Sequence, residues 1–113
     1  MYFTPWDEKR KAFRLRESLP IRYELIPRGK YGNGLTEDIS ENGVRLTLDE
    51  FIPKLSKMSL MINLMPDKPV ELNAEVRWAE RVSHSYHYEV GLEFQDVNSD
   101  TKRSISEYVS SNK

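Results

Sequence analysis

The sequence predicts an all-β barrel or sandwich that ends in one α-helix. From residue 20 to residue 95, short segments of alternating apolar and polar residues follow one another, and a period of two is typical of half-buried strands. Turn residues separate these segments at short spacing, as they do in antiparallel barrels and sandwiches. Towards the C-terminus the apolar residues take a helical spacing, which predicts the closing helix.

Six segments of the chain are predicted to be strands. The clearest alternation places Val70, Val76 and Trp78 on the core side, although Trp78 on a strand also suits a stacking platform for a base. The glycine-rich residues 27–34 are interpreted as one long hairpin turn, because they lack the Gly-Lys-Ser/Thr ending of a phosphate-binding loop. The predicted strands are 20–27, 34–40, 44–48, 58–64, 70–80 and 86–94.

The C-terminal helix is predicted over residues 98–110. Asn98 or Ser99 can act as the N-cap, because a short polar side chain accepts from the free backbone N–H groups of the first turn. The apolar residues that follow have the i, i+3, i+4 spacing of one helix face, which is expected to pack on the barrel. These residues are Ile105, Tyr108 and Val109.

Length and composition restrict the class of protein. The chain has 113 residues, no cysteine and a net charge of −1, so we expect a single domain over 1–113 without disulfides. Within it we expect a flexible N-terminal arm at 1–19, the barrel at 20–95 and then the helix. No apolar run approaches the ~20 residues of a membrane span, and nothing reads as a signal peptide, which predicts a cytoplasmic protein. The near-neutral charge argues against binding along a nucleic-acid polymer.

A carboxylate and a hydroxyl lie two residues apart in the segment DISENG at 38–43. On a strand this spacing places Asp38 and Ser40 on one face, and the alternation of residues 44–48 makes that the outer face. Asn42 and Gly43 both tolerate positive φ, so a tight hairpin turn is expected directly after the strand.

Two arginines precede this motif at a spacing of four. Arg10 and Arg14 fall on one face in a helix and in an extended segment alike, so their guanidiniums can converge. A guanidinium is a planar fork that matches phosphate oxygens or the O6 and N7 atoms of guanine. A carboxylate such as Asp38 suits the other guanine edge, which presents N–H donors. The residues therefore suit an anionic ligand that contains guanine.

The ordered motifs RxxxR and DxSxxG resemble those of the PilZ domain family, and the resemblance extends from about Lys9 to the C-terminal segment. The stretch GLEF at 91–94 is similar to the late GxxF strand of that family. The resemblance implies a six-stranded antiparallel β-barrel with a C-terminal α-helix. It also implies a receptor for cyclic di-GMP, a bacterial second messenger.

The resemblance implies roles for the motif residues as well. Arg10 and Arg14 would bind phosphate and guanine, while Asp38 and Ser40 would hold a guanine edge. Gly43 would keep the turn tight enough for a close approach.

Two further residues are weaker candidates for the ligand site. Lys9 stands where the family often has another arginine, a neighbourhood that bears on whether one ligand or a stacked pair binds. Arg45 lies on the predicted outer face two residues after the turn and is in reach of a phosphate, and an ordinary surface arginine is an equal alternative.

The expected mechanism is that the arm closes over the barrel when cyclic di-GMP binds, and that an unidentified effector protein responds. One alternative is a PilZ-like interaction adaptor that does not bind the nucleotide. A second is a small barrel for single-stranded nucleic acid, which would want exposed aromatic residues along a basic groove.

Neither an enzyme nor a metal or cofactor site is expected from the sequence. A catalytic Ser40 would need a histidine base within hydrogen-bond reach, and both histidines lie far along the chain. His84 and His87 diverge on a strand, and no carboxylate or cysteine cluster accompanies them.

Overall fold

A computed structural model of the chain describes residues 14–27, 29–65 and 68–112. Seven strands and one helix lie within these ranges. The strands are β1 (Leu15–Arg16), β2 (Pro20–Ile26), β3 (Lys30–Ile39), β4 (Gly43–Leu48), β5 (Lys57–Met65), β6 (Lys68–Arg81) and β7 (Tyr88–Gln95), and the helix is α1 (Ser99–Ser111).

Six of these strands close into an antiparallel β-barrel. Around the barrel the order is β2, β3, β4, β7, β6 and β5, and β5 pairs with β2 to complete the ring. Closure pairs both edges of each barrel strand, which removes the open edges that invite aggregation. The six-stranded barrel with a C-terminal helix is therefore confirmed.

The short strand β1 falls in the segment that the sequence analysis assigns to the arm. Leu15 pairs with Ile39 of β3 and is buried in the core. Burying a leucine side chain contributes ~1.5–3 kcal/mol, which favours this pairing over a solvated arm. Thr36 fixes the connection to β2, because its Oγ1 accepts from the Leu19 N–H at 2.7 Å. The remainder of the predicted arm, residues 1–13, lies outside the described residues.

The second barrel strand is longer than the sequence predicts, because two glycines serve packing and not a turn. β3 begins at Lys30, directly after Gly29, which has a φ of 71°. A Cβ at Gly32 would lie 2.3 Å from Tyr23 Oη, and one at Gly34 would lie 2.5 Å from Leu48 Cδ2. The interpretation of 27–34 as one turn is wrong, since the missing side chains within the strand make room for neighbouring ones.

Inward residues fill the barrel as their alternation predicts. Ile52, from the loop between β4 and β5, joins the same core. The helix adds Ile105 and Val109, and Asn98 caps it by accepting from the Thr101 N–H at 2.8 Å. No helix in the described part of the chain has the length and apolarity needed to cross a lipid bilayer. The buried hydrophobic side chains described in β4 and β5 are Val44, Leu46, Leu48, Met58, Leu60, Ile62 and Leu64.

A register shift in β6 moves Trp78 to the outside of the barrel. The irregularity lies between Val76, which pairs with Leu92, and Trp78, which pairs with Gly91. Leu92 is fully buried in the core, so its neighbour Gly91 faces outward, and the residue opposite Gly91 shares that face. The prediction that Trp78 lies on the core side is wrong, because a β-bulge adds one residue and reverses the alternation.

Candidate ligand-binding site

One row of paired residues crosses the outer face of five strands. Residues that stand directly opposite each other in an antiparallel sheet point to the same side. The row therefore places charged side chains of β1, β3 and β4 beside the indole of β6. Its members, in order across the sheet, are Arg16, Asp38, Arg45, Gly91 and Trp78.

Asp38 lies between two guanidiniums at the centre of this face. Arg14 donates from Nε to Asp38 Oδ1 at 2.5 Å, and its Nη2 contacts the same oxygen. Arg45 Nη2 lies 2.8 Å from the other carboxylate oxygen, Oδ2. Asp38 is only 6% exposed, so these ion pairs are screened by water far less than surface pairs are. The structure thus brings Arg14, Asp38 and Arg45 together from three separate segments.

Ser40 lies beneath this cluster and closes the turn that follows β3. Its Oγ accepts from the Asn42 N–H at 3.2 Å, and Arg14 Nη1 is 3.5 Å from the same oxygen. The Ser40 N–H also donates to the Gly43 carbonyl at 2.9 Å. Ser40 is fully buried. It is therefore placed to hold Arg14 and the turn, and not as an open surface hydroxyl.

The tight hairpin turn predicted directly after β3 is present and joins it to β4. Gly29 is the glycine with positive φ among the described residues, and Asn42 is not among their positive-φ positions. The hydrogen bonds of Ser40 close the turn without a left-handed residue. Gly43 begins β4, opposite Glu93, and takes no positive φ although glycine tolerates one.

Glu89 adds a second carboxylate to the cluster, and sequence reasoning missed it. Its Oε1 lies 3.5 Å from Arg45 Nη1. Burial raises the pKa of the Glu89 carboxyl, Arg45 opposes this rise, and neighbouring carboxylates such as Glu37 add to it. The period of two places Glu89 on the outer face, but only the pairing of β4 with β7 brings it to Arg45.

The described charges of the cluster balance one another. Arg14 and Arg45 oppose Asp38 and Glu89 within 3.5 Å. A dianionic ligand would need more positive charge than this set supplies. Two of the sequence-predicted site residues that would add it, Lys9 and Arg10, lie outside the described residues.

Trp78 and Gly91 form the apolar end of the row. A Cβ at Gly91 would lie 2.1 Å from Trp78 Nε1, so the indole covers the glycine backbone directly. Trp78 remains half-buried, with part of its ring on the same outer face as Arg45. A glycine within a strand often marks such a close approach. The motif GLEF contained this signal, but the sequence does not show which residue stands opposite Gly91.

The histidines take no part in this cluster. His87 Nδ1 lies 2.9 Å from Asp49 Oδ1 in the loop between β4 and β5. His84, at the tip of the β6–β7 hairpin, has a φ of 59°. Over the described ranges, no group of three or more histidine and acidic residues is arranged to hold a metal ion.

Comparison with known proteins agrees with both the barrel and the motifs. The family model described as the PilZ domain matches residues 8–111. A search of curated protein sequences finds no match.

Solved structures share the fold at low sequence identity. The PilZ domain of YcgR from Escherichia coli, described with c-di-GMP, has a TM-score of 0.74 and 12% identity over 92% of this chain and 91% of that chain. The inhibitor of motility MotI/DgrA from Bacillus subtilis has a TM-score of 0.78 and 18% identity, and the match covers 91% of this chain and 50% of that chain.

A third neighbour is MrkH from K. pneumonia, with a TM-score of 0.77 and 18% identity over 92% of this chain and 49% of that chain. MrkH is also described as a c-di-GMP-dependent transcription regulatory factor. The chain thus spans about half the length of the MotI and MrkH chains.

Proposed function

Because this chain belongs to the PilZ domain family, we propose that it is a receptor for cyclic di-GMP and binds it at the cluster around Asp38. The observation that supports this most strongly is the contact of Arg14 and Arg45 with the two oxygens of one buried carboxylate. This arrangement holds acceptors for a guanine edge and donors for a phosphate within one site. The receptor acts in the cytoplasm, without a cofactor and without catalysis.

Each residue of the site has a chemical task in this proposal. The Asp38 carboxylate accepts from the N–H groups of guanine, and Arg14 and Arg10 bind phosphate and the O6 and N7 atoms. Arg45 and Lys9 add positive charge for the phosphates. Ser40 holds Arg14 and the turn, and Gly43 lets β4 begin close to Ser40.

Trp78 supplies a stacking surface for a base. Its half-buried indole lies on the outer face, one residue further along the row than Gly91. Stacking of a base on an aromatic side chain contributes ~1–3 kcal/mol and is possible for any base, because every base has a π-face.

A guanine edge at Asp38 would meet oxygens that already contact guanidiniums. A guanine edge either shares these oxygens or displaces an arginine. If Arg14 turns towards a phosphate, the segment before it moves as well. This is how ligand binding would reorganise residues 1–13 and change the surface that an effector protein meets.

The energies allow only a short segment to become ordered. Each charge-assisted hydrogen bond contributes ~1.5–3 kcal/mol, and fixing one residue costs ~1–2 kcal/mol. Micromolar binding is worth ~8 kcal/mol. A handful of such bonds therefore orders a few residues and still leaves micromolar affinity.

Calorimetric titration with cyclic di-GMP tests the proposal. We expect Arg14→Ala and the isosteric Asp38→Asn to weaken binding by about tenfold or more. Arg103→Ala, a matched change on the exposed face of α1, is the control and should bind as the unchanged protein does. Folded protein that gives no heat at high micromolar ligand would contradict the proposal.

Backbone NMR of the free and bound protein tests the conformational part separately. We expect residues 7–18 to show different order parameters in the two states. Equal rigidity in both would remove the arm mechanism and leave ligand binding itself intact.

An interaction adaptor that does not bind the nucleotide is the second candidate function. The balance of charges among Arg14, Arg45, Asp38 and Glu89 favours it, since the charges of such a cluster already neutralise one another. The calorimetric titration distinguishes the two candidates, because the adaptor would give no heat of binding with cyclic di-GMP. A steep salt dependence of oligonucleotide binding would contradict both, because neither binds a nucleic-acid polymer.

A further inference from the structure

A groove runs over the outer face of the barrel on the side away from the Asp38 row. Its first part lies over β2 and β5, the two barrel strands that contribute nothing to that row, and its second part lies over β5 and β6 beside the start of α1. The first part has a volume of about 180 Å³ and the second of about 140 Å³. Ser59 and Glu71 line both parts, so the two hollows are direct neighbours between β3 and the start of α1.

The first part of the groove exposes two large apolar side chains. Tyr31 is 74% exposed and Met61 is 37% exposed. They belong to adjacent rows of the sheet, because Tyr31 stands opposite Glu24 and Met61 stands opposite Arg22. Apolar surface of this kind, rimmed by polar residues, is typical of sites that contact another protein.

The charge along the groove is predominantly negative. Glu24 and Glu71 line the first part, and Asp96 lines the second. Over the described part of the chain, none of these three carboxylates lies within ion-pair distance of a cationic group. Among the described residues that line the two parts, Arg22 is the single positively charged one. The groove therefore complements a positively charged segment that also carries apolar side chains.

We propose that this groove is a docking surface for an extended, basic segment of a partner protein. An apolar side chain of the segment packs between Tyr31 and Met61. A lysine or arginine next to it reaches Glu71, and a second one reaches Asp96. Backbone groups of an extended segment can also bond with Ser59 and Thr101, which line the groove.

The groove and the Asp38 row are separate but share two long strands. β3 carries Tyr31 in the groove and Asp38 in the row, and β6 carries Glu71 and Trp78 in the same way. At ~3.3 Å per residue, the seven steps between residues 31 and 38 span about 23 Å. A segment bound in the groove therefore does not occupy the nucleotide site, and this proposal stands without the proposed function.

NMR titration with two synthetic peptides tests the docking surface. The probe is acetyl-Leu-Lys-Leu-Lys-Leu-amide, and acetyl-Leu-Glu-Leu-Glu-Leu-amide is the charge-reversed control with the same apolar content. We expect the lysine peptide to shift backbone resonances of β2, β5 and the first half of β6. The glutamate peptide should leave them unchanged.

Matched variants decide whether the effect is local. Tyr31→Ser and Glu71→Gln should each weaken binding of the lysine peptide about threefold to tenfold. Tyr86→Ser, at a residue that is 87% exposed on the β6–β7 hairpin, and Glu107→Gln on α1 are the controls and should change nothing. Retained dispersion of the amide spectrum shows that each variant folds. Asp38→Asn should bind the peptide normally.

Several outcomes would overturn the docking proposal. These are shifts spread evenly over the surface, equal binding of the glutamate peptide, and equal losses in the control variants. Shifts of the same residues that depend on protein concentration, without peptide, would assign the groove to a second copy of this chain and also overturn it.

Discussion

A carboxylate held by two partners lies near each end of β3: Glu50, from the loop between β4 and β5, lies near the first end, and Asp38 lies near the last. At the first end, Glu50 accepts a hydrogen bond from Tyr23 Oη, and Lys30 Nζ lies 2.6 Å from its other oxygen. At the last end, Asp38 is contacted by Arg14 and Arg45. The two clusters look alike as ion pairs, but their donors differ in chemistry.

The difference in donors distinguishes a structural contact from the proposed binding site. A tyrosine hydroxyl has one proton, and the Tyr23 proton is committed to Glu50. A guanidinium presents five N–H donors in a planar fork, more than a single carboxylate accepts. The Glu50 cluster therefore ties loop to barrel, whereas the Asp38 cluster keeps donors and acceptors of a kind that recognises phosphate and guanine. Four predictions test this contrast, from the largest effect to the smallest.

Removal of each carboxylate should separate binding from stability. We expect Asp38→Ala to weaken cyclic di-GMP binding about 100-fold or more, since at least two charge-assisted hydrogen bonds are lost at ~1.5–3 kcal/mol each. Glu50→Ala should bind normally in calorimetry. Urea denaturation should show both variants destabilised by about 1–3 kcal/mol, because each removes a carboxylate that accepts hydrogen bonds from two partly buried partners. If Glu50→Ala lost as much binding as Asp38→Ala, the proposed difference between the two clusters would be wrong.

A glycine beneath an aromatic ring occurs at both ends, which gives a matched pair of substitutions. A Cβ would lie 2.1 Å from Trp78 at Gly91 and 2.3 Å from Tyr23 at Gly32. We expect Gly91→Ala and Gly32→Ala each to lower the free energy of unfolding by about 1–3 kcal/mol, because the ring has to move. Only Gly91→Ala should also weaken binding of cyclic di-GMP, because the new methyl group displaces the Trp78 indole. If folded Gly91→Ala bound cyclic di-GMP as the unchanged protein does, Trp78 would not take part in binding.

Tyr23, which contacts Glu50, should affect how the stability of the protein depends on pH. Burial, together with the hydrogen bond and charge of Glu50, raises the pKa of Tyr23 above its ordinary value of 10.0. A raised pKa in the folded state means that stability is present below pH 10 and is lost as the pH rises above it. We expect Tyr23→Phe to cost about 1 kcal/mol at pH 7. Above pH 10 its unfolding free energy should fall less steeply than that of the unchanged protein, in parallel denaturation curves.

The smallest effect is expected at Glu89, which competes with the ligand for Arg45. We expect Glu89→Gln to tighten cyclic di-GMP binding about twofold to fivefold, as the loss of a partly exposed charge pair allows. Burial raises the pKa of Glu89, so its protonation as the pH falls should tighten binding in the unchanged protein and not in the variant. Glu75→Gln, beside Arg77, is the control. Weaker binding of Glu89→Gln would instead make Glu89 a residue that positions Arg45 for the ligand.

The alternation of residues was sufficient to predict most barrel strands and the core side of β4 and β5. It failed at Trp78, because a β-bulge inserts a residue only when two strands pair, and that pairing is not visible in one strand. It also failed at Gly32 and Gly34, since a glycine that makes room for a neighbour and a glycine that turns the chain look the same in sequence. β1 was missed because two residues carry no period.

The candidate site, like the fold, was predicted from the sequence only in part. The spacing of Asp38 and Ser40 and the arginine at 14 pointed to one ligand chemistry, and local geometry is enough for that because i and i+2 share a face. Glu89, Gly91 and Trp78 come from β6 and β7, more than 30 residues further along the chain. Nothing near them in sequence marks their place beside Arg45.

By itself, the sequence determined the strand-rich class, the family motifs and the chemical character of the ligand that they suit. Only the tertiary structure decided which side chains meet: the contact of Asp38 with both arginines, the outward turn of Trp78 and the acidic groove on the opposite side. The physical reason is the distance along the chain over which each signal acts. Periodicity and turn chemistry act over a few neighbouring residues, whereas ring closure and register are set by pairing between strands that lie far apart in the chain.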